Sequence, residues 1–201
     1  MLPKLYAIVD AKYFSGITEL LQFTRDLIAG GVTLLQYRDK KSNARQVLSC
    51  ARELRRVLEN TKLIMNDRAD LCLAAGFDGV HLGQDDLSVE GARRILGNEL
   101  WVGMSTHAPE QIKFADATSA TYIAIGPVFQ TASKEAPDPV VGLEGVRLAR
   151  QLTRKPLVAI GGITRANCGS VIRAGADSVA VISDLRGSPR NSAEEFLQQM
   201  G

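Results

Sequence analysis

The chain has 201 residues, and its 24 basic and 22 acidic side chains leave a formal net charge of +2. This near balance gives no electrostatic reason to expect nucleic acid or a membrane as a partner. The length suits one domain with a substantial core and lies near the lower limit for a (β/α)8 barrel. We therefore expect a single domain over residues 1–201.

The first residues lead almost at once into an apolar run, with neither a signal-peptide pattern nor a span of about 20 apolar residues. Cys50, Cys72 and Cys168 are isolated and lack the spacing of a metal or redox motif. A cytoplasmic protein with unpaired cysteines is the expectation. The oligomeric state stays open, a homo-oligomer included.

Eight short apolar runs, most of them rich in valine, isoleucine and leucine, predict buried parallel strands. The predicted strands are Leu5–Asp10, Leu34–Arg38, Lys62–Asn66, Gly79–Gly83, Trp101–Ser105, Tyr122–Val128, Leu157–Gly161 and Ser178–Ser183. Helical patterns fill the gaps between them. One strand followed by one helix is the repeat of a TIM barrel, an α/β fold whose active site lies at the C-terminal ends of its strands.

Capping residues and apolar stripes delimit helices in most of these gaps. They are Thr18–Ala29, a helix from a Ser42 cap to about Glu59, Ala69–Ala75, a helix from a Ser88 cap to Leu96, a helix beginning at Pro109, Arg165–Ala174 and Ala193–Gln199. The one irregular segment, Thr131–Val141, follows the sixth strand and contains two prolines. Its position predicts an active-site loop.

Polar signatures follow seven of the predicted strands or stand at their ends. They are Gln36-Tyr37-Arg38-Asp39-Lys40, Asn66-Asp67, Asp85-Asp86, Ser105-Thr106-His107, Thr131-Ala132-Ser133-Lys134, Gly161-Gly162 and Ile182-Ser183. Because a TIM barrel brings the C-terminal ends of its strands together, we expect these signatures to converge on one mouth.

The second strand ends in cations that suit an anionic ligand. Gln36 and Arg38 alternate onto one side of the strand, and such a pair is costly to bury without a ligand or partner. The alternative is that Arg38 and Lys40 are surface charges paired with Asp39.

Asp67 and Asp86 follow adjacent strands and could bring two carboxylates to one Mg²⁺, which prefers oxygen ligands and takes one or two protein carboxylates plus substrate phosphates. The alternatives are that Asp67 caps a helix or pairs with Arg68, and that Asp86 is a cap close to Ser88. Asp85 is the rival of Asp86 within the same turn.

Glycines and a serine end the last two strands, where TIM barrels often bind phosphate through backbone N–H groups. Gly161-Gly162 stands at the end of the seventh strand and Ile182-Ser183 ends the eighth. Glycine lets the backbone approach an anion closely. The sequence therefore predicts a phosphate site at these two strand ends.

Several of these signatures belong to a longer ordered set with consistent gaps. The set is Gln36-Tyr37-Arg38-Asp39-Lys40, Asn66-Asp67-Arg68, Gly79-Val80-His81-Leu82-Gly83-Gln84, Ser105-Thr106-His107, Gly126-Pro127-Val128-Phe129, Ala159-Ile160-Gly161-Gly162-Ile163 and Gly175-Ala176-Asp177. It resembles the thiamine-phosphate synthase family from Leu5 to about Ser183. That family joins hydroxymethylpyrimidine diphosphate to thiazole phosphate on a TIM barrel with Mg²⁺, forming thiamine phosphate and diphosphate.

The resemblance implies a role for each signature. It implies a pyrimidine diphosphate site at Gln36, Arg38, Lys40, Asn66, Ser105 and Lys134. It implies a thiazole phosphate site at Thr131, Ser133, Gly162, Ile182 and Ser183. It implies Mg²⁺ at Asp67 and Asp86. The catalytic residues would be Arg38, Lys40 and Lys134, which stabilise the departing diphosphate, and no side-chain nucleophile is required.

The chain departs from the family pattern at Gln130, where proline is usual, and at Asp184 and Arg186, where small residues are more common. Of the two histidines, we interpret His81 as a satisfied residue of the core or one that supports the ligand-contacting side chains, and His107 as the start of a helix. The rival functions are a thiazole tautomerase-like isomerase and a non-catalytic phosphate-binding barrel. The isomerase would keep the phosphate site but need neither the carboxylate pair nor Lys134, and the binding barrel would bind one phosphate ligand without Mg²⁺-dependent turnover.

Overall fold

The computed structural model describes residues 2–58, 60–131 and 138–201. In that part of the chain, eight parallel strands pair in chain order and close into a barrel. The strands are β1 Leu5–Asp10, β2 Leu34–Arg38, β3 Lys62–Asn66, β4 Gly79–Leu82, β5 Trp101–Thr106, β6 Tyr122–Ile125, β7 Leu157–Ile160 and β8 Ser178–Val181. The predicted TIM-barrel fold is confirmed.

Helices alternate with the strands and surround the barrel. They are α1 Ile17–Ala29, α2 Ala44–Val57, α3 Ala69–Ala75, α4 Val89–Leu96, α5 Pro109–Ala117, α6 Gly142–Leu152, α7 Cys168–Arg173 and α8 Pro189–Met200. Short 3-10 helices follow β1 and β8, at Ala11–Tyr13 and Ser183–Leu185. Within the described ranges, no helix combines the length and apolar character that crossing a membrane requires.

The cap of α2 differs from the prediction. Asn43 rather than Ser42 is the cap: its side chain accepts from the Gln46 N–H while the Gln46 side chain accepts from the Asn43 N–H. This reciprocal capping box satisfies two donors, which a lone serine one residue earlier would not do. The helix ends at Val57, and the predicted end at Glu59 lies outside the described residues.

Two buried layers hold the barrel and shape its mouth. One lies between the strands and the helices, and the other fills the barrel interior with large side chains such as Tyr6, Ile64 and Tyr122. Ala124 and Ala180, on β6 and β8, also face this interior and line a cavity above it. Small side chains here leave room for a ligand.

Candidate active site

A cavity of about 870 Å³ opens at the C-terminal ends of the strands. It is lined by the predicted site residues that the structure describes, namely Gln36, Arg38, Lys40, Asn66, Asp67, Asp86, Ser105, Thr131, Gly162, Ile182 and Ser183. The other two, Ser133 and Lys134, lie outside the described residues. Side chains from distant parts of the chain therefore converge as the barrel geometry requires.

Arg38 contacts a buried carboxylate that the sequence analysis did not single out. Its guanidinium pairs with Asp10, which ends β1 and is 2% exposed. Lys12 lies 3.7 Å from the same carboxylate. β1 and β2 pair in register at Asp10 and Arg38, so the sheet itself brings the two side chains together. The alternative pairing of Arg38 with Asp39 is wrong, because Asp39 accepts from nearby backbone N–H groups instead.

Two carboxylates and a lysine meet beside β3 and β4. Lys40 Nζ lies 2.7 Å from Asp67 Oδ2. Burial raises the pKa of Asp67. The hydrogen bond from Lys40 opposes this rise, and the adjacent Asp86 carboxyl raises the pKa further. Asp86 also accepts from the Gly83 N–H at 2.7 Å. Asp86, rather than its rival Asp85, thus holds a position in contact with Asp67.

The backbone at Asp67 is strained. Its φ is 62°, the only positive φ of a described non-glycine residue. The Arg68 N–H donates to the Asn66 carbonyl at 2.8 Å, which closes a three-residue turn centred on Asp67. A γ-turn with positive φ is the rare form, and such strain clusters at functional sites. The alternative pairing of Asp67 with Arg68 is also wrong, because Arg68 pairs with Asp70.

The ends of β7 and β8 form the opposite wall of the cavity. Gly161 and Gly162 have φ values of 100° and 63°. A Cβ at Gly162 would overlap the backbone carbonyl oxygen of Gln130, so this close approach requires glycine. Asn167 Nδ2 donates to the Gly162 carbonyl at 3.1 Å and holds the turn.

The charges that follow β8 are bound by other protein groups. Asp184 accepts from the Arg165 backbone N–H at 2.8 Å and from its side chain at 3.1 Å. The Arg186 guanidinium lies over the Tyr13 ring, 3.8 Å from its centroid. Asp184 lines the cavity with its charge paired, while Arg186 borders a separate pocket near α1.

A chain of hydrogen bonds crosses the barrel floor beneath the cavity. It links Gln36 Nε2 to Tyr6 Oη at 2.9 Å, Tyr6 to Tyr122 Oη at 3.0 Å, Tyr122 to His81 Nδ1 at 3.0 Å, and His81 Nε2 to Ser105 Oγ at 2.8 Å. Burial lowers the pKa of His81 to about 4 against the opposing effect of Asp86. Burial raises the pKa of both tyrosines. Both ring nitrogens of His81 are hydrogen-bonded, as predicted, but the residue is only part-buried and lines the cavity.

His107 starts the turn into α5, as predicted, but its ring also borders the cavity. Its backbone N–H donates to Gln111 Oε1 at 2.7 Å. Its Nδ1 bonds the Gly126 carbonyl, and its Nε2 lies 3.5 Å from Asp138 Oδ2. His107 therefore ties the end of β6 to the chain just before α6.

The carboxylate pair suits Mg²⁺ by its donor chemistry. The described residues contain no cluster of three or more His, Cys, Asp or Glu side chains that could hold a metal ion. Mg²⁺ does not require such a cluster, since it usually binds one or two carboxylates and completes its shell with water and substrate phosphates. Asp67 and Asp86 would supply those two carboxylates.

A closed eight-stranded barrel with a large cavity at its C-terminal mouth is the architecture of TIM-barrel enzymes, whose active sites lie at that end. Residues 5–185 match the family model described as thiamine monophosphate synthase. The chain belongs to that family, whose synthases are transferases of thiamine biosynthesis.

Relatives agree with this assignment along nearly the whole chain. The thiamine-phosphate synthase of Koribacter versatilis (strain Ellin345) is 62% identical over 98% of this chain and 95% of its own length. That of Chloroflexus aurantiacus is 42% identical over 90% of this chain and 83% of its own length. The structure of a thiamine phosphate pyrophosphorylase from Pyrococcus furiosus superposes with a TM-score of 0.87 at 31% identity, covering 98% of this chain and 95% of that one.

Proposed function

We propose that the chain catalyses the Mg²⁺-dependent coupling of hydroxymethylpyrimidine diphosphate with thiazole phosphate, giving thiamine phosphate and diphosphate. Membership of the family supports the reaction. The observation that carries the metal dependence is the contact between Asp67 and Asp86 beside Lys40, at the mouth of the barrel. Two carboxylates in contact are costly to keep charged unless a cation binds between them.

The cations at the end of β2 would bind the departing diphosphate. Arg38 and Lys40 both line the cavity and each already faces a carboxylate, Asp10 and Asp67 respectively. Those partners hold the side chains in place before substrate arrives, which is the condition for electrostatic stabilisation without reorganisation. Bound Mg²⁺ would supply further neutralisation of the phosphate charges.

The chemistry needs orientation more than it needs an acid or base. The C–O bond to diphosphate breaks with its electron pair on the leaving oxygen, and the aminopyrimidine ring stabilises the resulting CH₂ cation. The thiazole nitrogen then uses its lone pair to form the new C–N bond. We propose that Thr131, Gly162 and Ser183 hold thiazole phosphate with its nitrogen facing the pyrimidine. Their position on the wall opposite β2 supports this arrangement.

The proposed setting is the cytoplasm, where cysteines stay reduced. All three cysteines of the chain are free, and Cys72 and Cys168 are buried. Free cysteines support the proposal that the protein works in a reducing compartment.

The test is to mix the protein with both substrates and Mg²⁺ and to measure thiamine phosphate and diphosphate. We expect equal amounts of both products, and no turnover in EDTA. Asp86→Asn should lose most activity, whereas the matched variant Asp85→Asn should lose much less, because Asp86 is the carboxyl in contact with Asp67. Isomerisation of the thiazole phosphate without coupling would instead support the tautomerase alternative.

A further inference from the structure

The hydrogen-bonded chain on the barrel floor has a direction that follows from counting donors and acceptors. Gln36 Nε2 only donates, and each tyrosine hydroxyl carries one proton. With its Nε2 facing Tyr6, Gln36 donates to the Tyr6 hydroxyl. If Tyr122 also donated to Tyr6, the buried Tyr6 proton would lack an acceptor among these bonds, which is costly. We therefore assign Tyr6 as the donor to Tyr122, and Tyr122 as the donor to Nδ1 of His81. His81 then carries its proton on Nε2 and donates it to Ser105 Oγ.

We propose that Tyr6, Tyr122 and His81 are positioning residues that fix which hydrogen-bonding groups Gln36 and Ser105 present to the substrate. Because Ser105 Oγ accepts from His81, its own proton is left for an acceptor in the cavity. With one N–H directed at Tyr6, the Gln36 amide retains its carbonyl oxygen and a second N–H.

These groups complement an aminopyrimidine, and this step rests on the proposed function. A primary amide reads a ring nitrogen next to an exocyclic amine by donating to the first and accepting from the second, as asparagine and glutamine read adenine. A 4-aminopyrimidine has the same edge. Gln36 would therefore recognise this edge, while Ser105 would donate to another acceptor of the pyrimidine diphosphate.

The barrel interior leaves space for the Tyr122 hydroxyl, which lies in the middle of this series of hydrogen bonds. A Cβ at Gly103, on β5, would overlap both the ring and the hydroxyl of Tyr122, so the glycine provides the space that the phenol fills. The His81 and Tyr122 rings stack with centroids 5.6 Å apart, and Tyr6 packs edge-on against Tyr122 at 6.1 Å. Tyr6 and Tyr122 are at most 1% exposed. These contacts hold the hydroxyls in line without help from a ligand.

The decisive measurement is the tautomer of His81 in the wild-type protein, read from long-range ¹H–¹⁵N spectra of histidine-labelled protein near pH 7. The chain contains two histidines, so the spectrum of a His107→Gln variant assigns the signals. We expect a protonated Nε2 and a hydrogen-bonded, unprotonated Nδ1. A proton on Nδ1 would reverse the bonds on both sides of His81 and overturn the proposal.

Substitutions of the tyrosines test the link to substrate. Tyr122→Phe should remove the hydrogen bond at His81 Nδ1, and Tyr6→Phe should leave the His81 tautomer unchanged while Gln36 loses its partner. Each should raise the KM for the pyrimidine diphosphate about three- to tenfold, the effect of one neutral hydrogen bond, without changing the KM for thiazole phosphate. Tyr13→Phe, on the 3-10 helix after β1, is the matched control.

These experiments distinguish a failure of the positioning role from a failure of the proposed function. If both variants are folded by circular dichroism and keep the wild-type KM for the pyrimidine substrate, the positioning role is wrong. If the wild-type protein forms no thiamine phosphate, the proposed function fails while the tautomer measurement still decides the direction of the chain.

Discussion

The substitution Asp67→Asn removes the negative charge of the side chain, and we expect it to preserve the local backbone conformation. Asparagine tolerates positive φ, so the turn at φ 62° should persist. Alanine tolerates it poorly, and its left-handed conformation costs about 1–2 kcal/mol. The lost ion pair with the half-exposed Lys40 is worth about 0.2–1 kcal/mol. We therefore expect Asp67→Asn to keep the wild-type unfolding free energy at pH 7 to within about 1 kcal/mol, and Asp67→Ala to lose more.

The pH dependence of stability gives an independent check. Burial raises the pKa of Asp67, so the folded state binds its proton more tightly than the unfolded state does. The contribution of this group to stability is therefore greatest below the ordinary value of 3.8 and falls as pH rises through the raised value. Asparagine does not titrate, so Asp67→Asn should lose this part of the pH dependence.

Activity should respond very differently from stability. Removing one preorganised charge contact typically lowers the rate by about 10²–10³, and we expect a loss of that size in kcat/KM for Asp67→Asn. The assay is steady-state coupling with titrated Mg²⁺, next to urea unfolding of the same variants at several pH values. Wild-type activity of this variant, or full wild-type activity in EDTA, would refute the metal assignment. Equal stability of the Asn and Ala variants would refute the backbone argument.

Three further predictions concern other residues. Lys134→Ala should lower kcat about 10²–10³-fold and change KM less, because its charge is expected to act on the leaving diphosphate; steady-state kinetics with an unchanged kcat would indicate a solvated side chain. Gly162→Ala should raise the KM for thiazole phosphate more than for the pyrimidine, whereas Gly187→Ala, where a Cβ meets nothing, should change neither. Asp10→Asn should lower the unfolding free energy by about 1.5–3 kcal/mol in urea titrations, since Arg38 loses its charged partner; wild-type stability would contradict this.

The strands could be predicted because each is a short apolar run, and their starts agree with the structure. Their ends were less predictable. Tyr122–Val128 was predicted as one strand, but β6 ends at Ile125, just before Gly126 and Pro127. Proline has no N–H to donate to a neighbouring strand, so the ladder is interrupted there, although the Val128 N–H still donates to the carbonyl of Ile160, the last residue of β7.

Helix α6 was not delimited from the sequence because it lacks a start signal. Its N-cap position, Val141, makes no side-chain capping bond, and Gly142 and Gly145 fall in its first turns. The helix exists because its other face packs in the core through Val146 and Ala149. Tertiary packing here overrides weak local propensity.

The site residues were predictable where a strand end carried a distinctive polar group, and not where the group was commonplace. Asp10 ends β1 with a single acidic residue, and only the register of β1 with β2 reveals that it faces Arg38. Tyr6 and Tyr122 look like ordinary core residues in apolar strands. Their hydroxyls meet across the barrel through pairings that involve several strands, which no local pattern reports.

The fit between Gly103 and Tyr122 limits how this barrel can change over time. Any side chain at Gly103 would displace the phenol, and a smaller residue at Tyr122 would leave a cavity behind the glycine. Neither position can be altered alone without loss, so the two are expected to be exchanged together or kept together. A lineage that gave up the pair would have to rebuild the floor of its binding pocket, and with it the way the pocket distinguishes one nitrogen heterocycle from another.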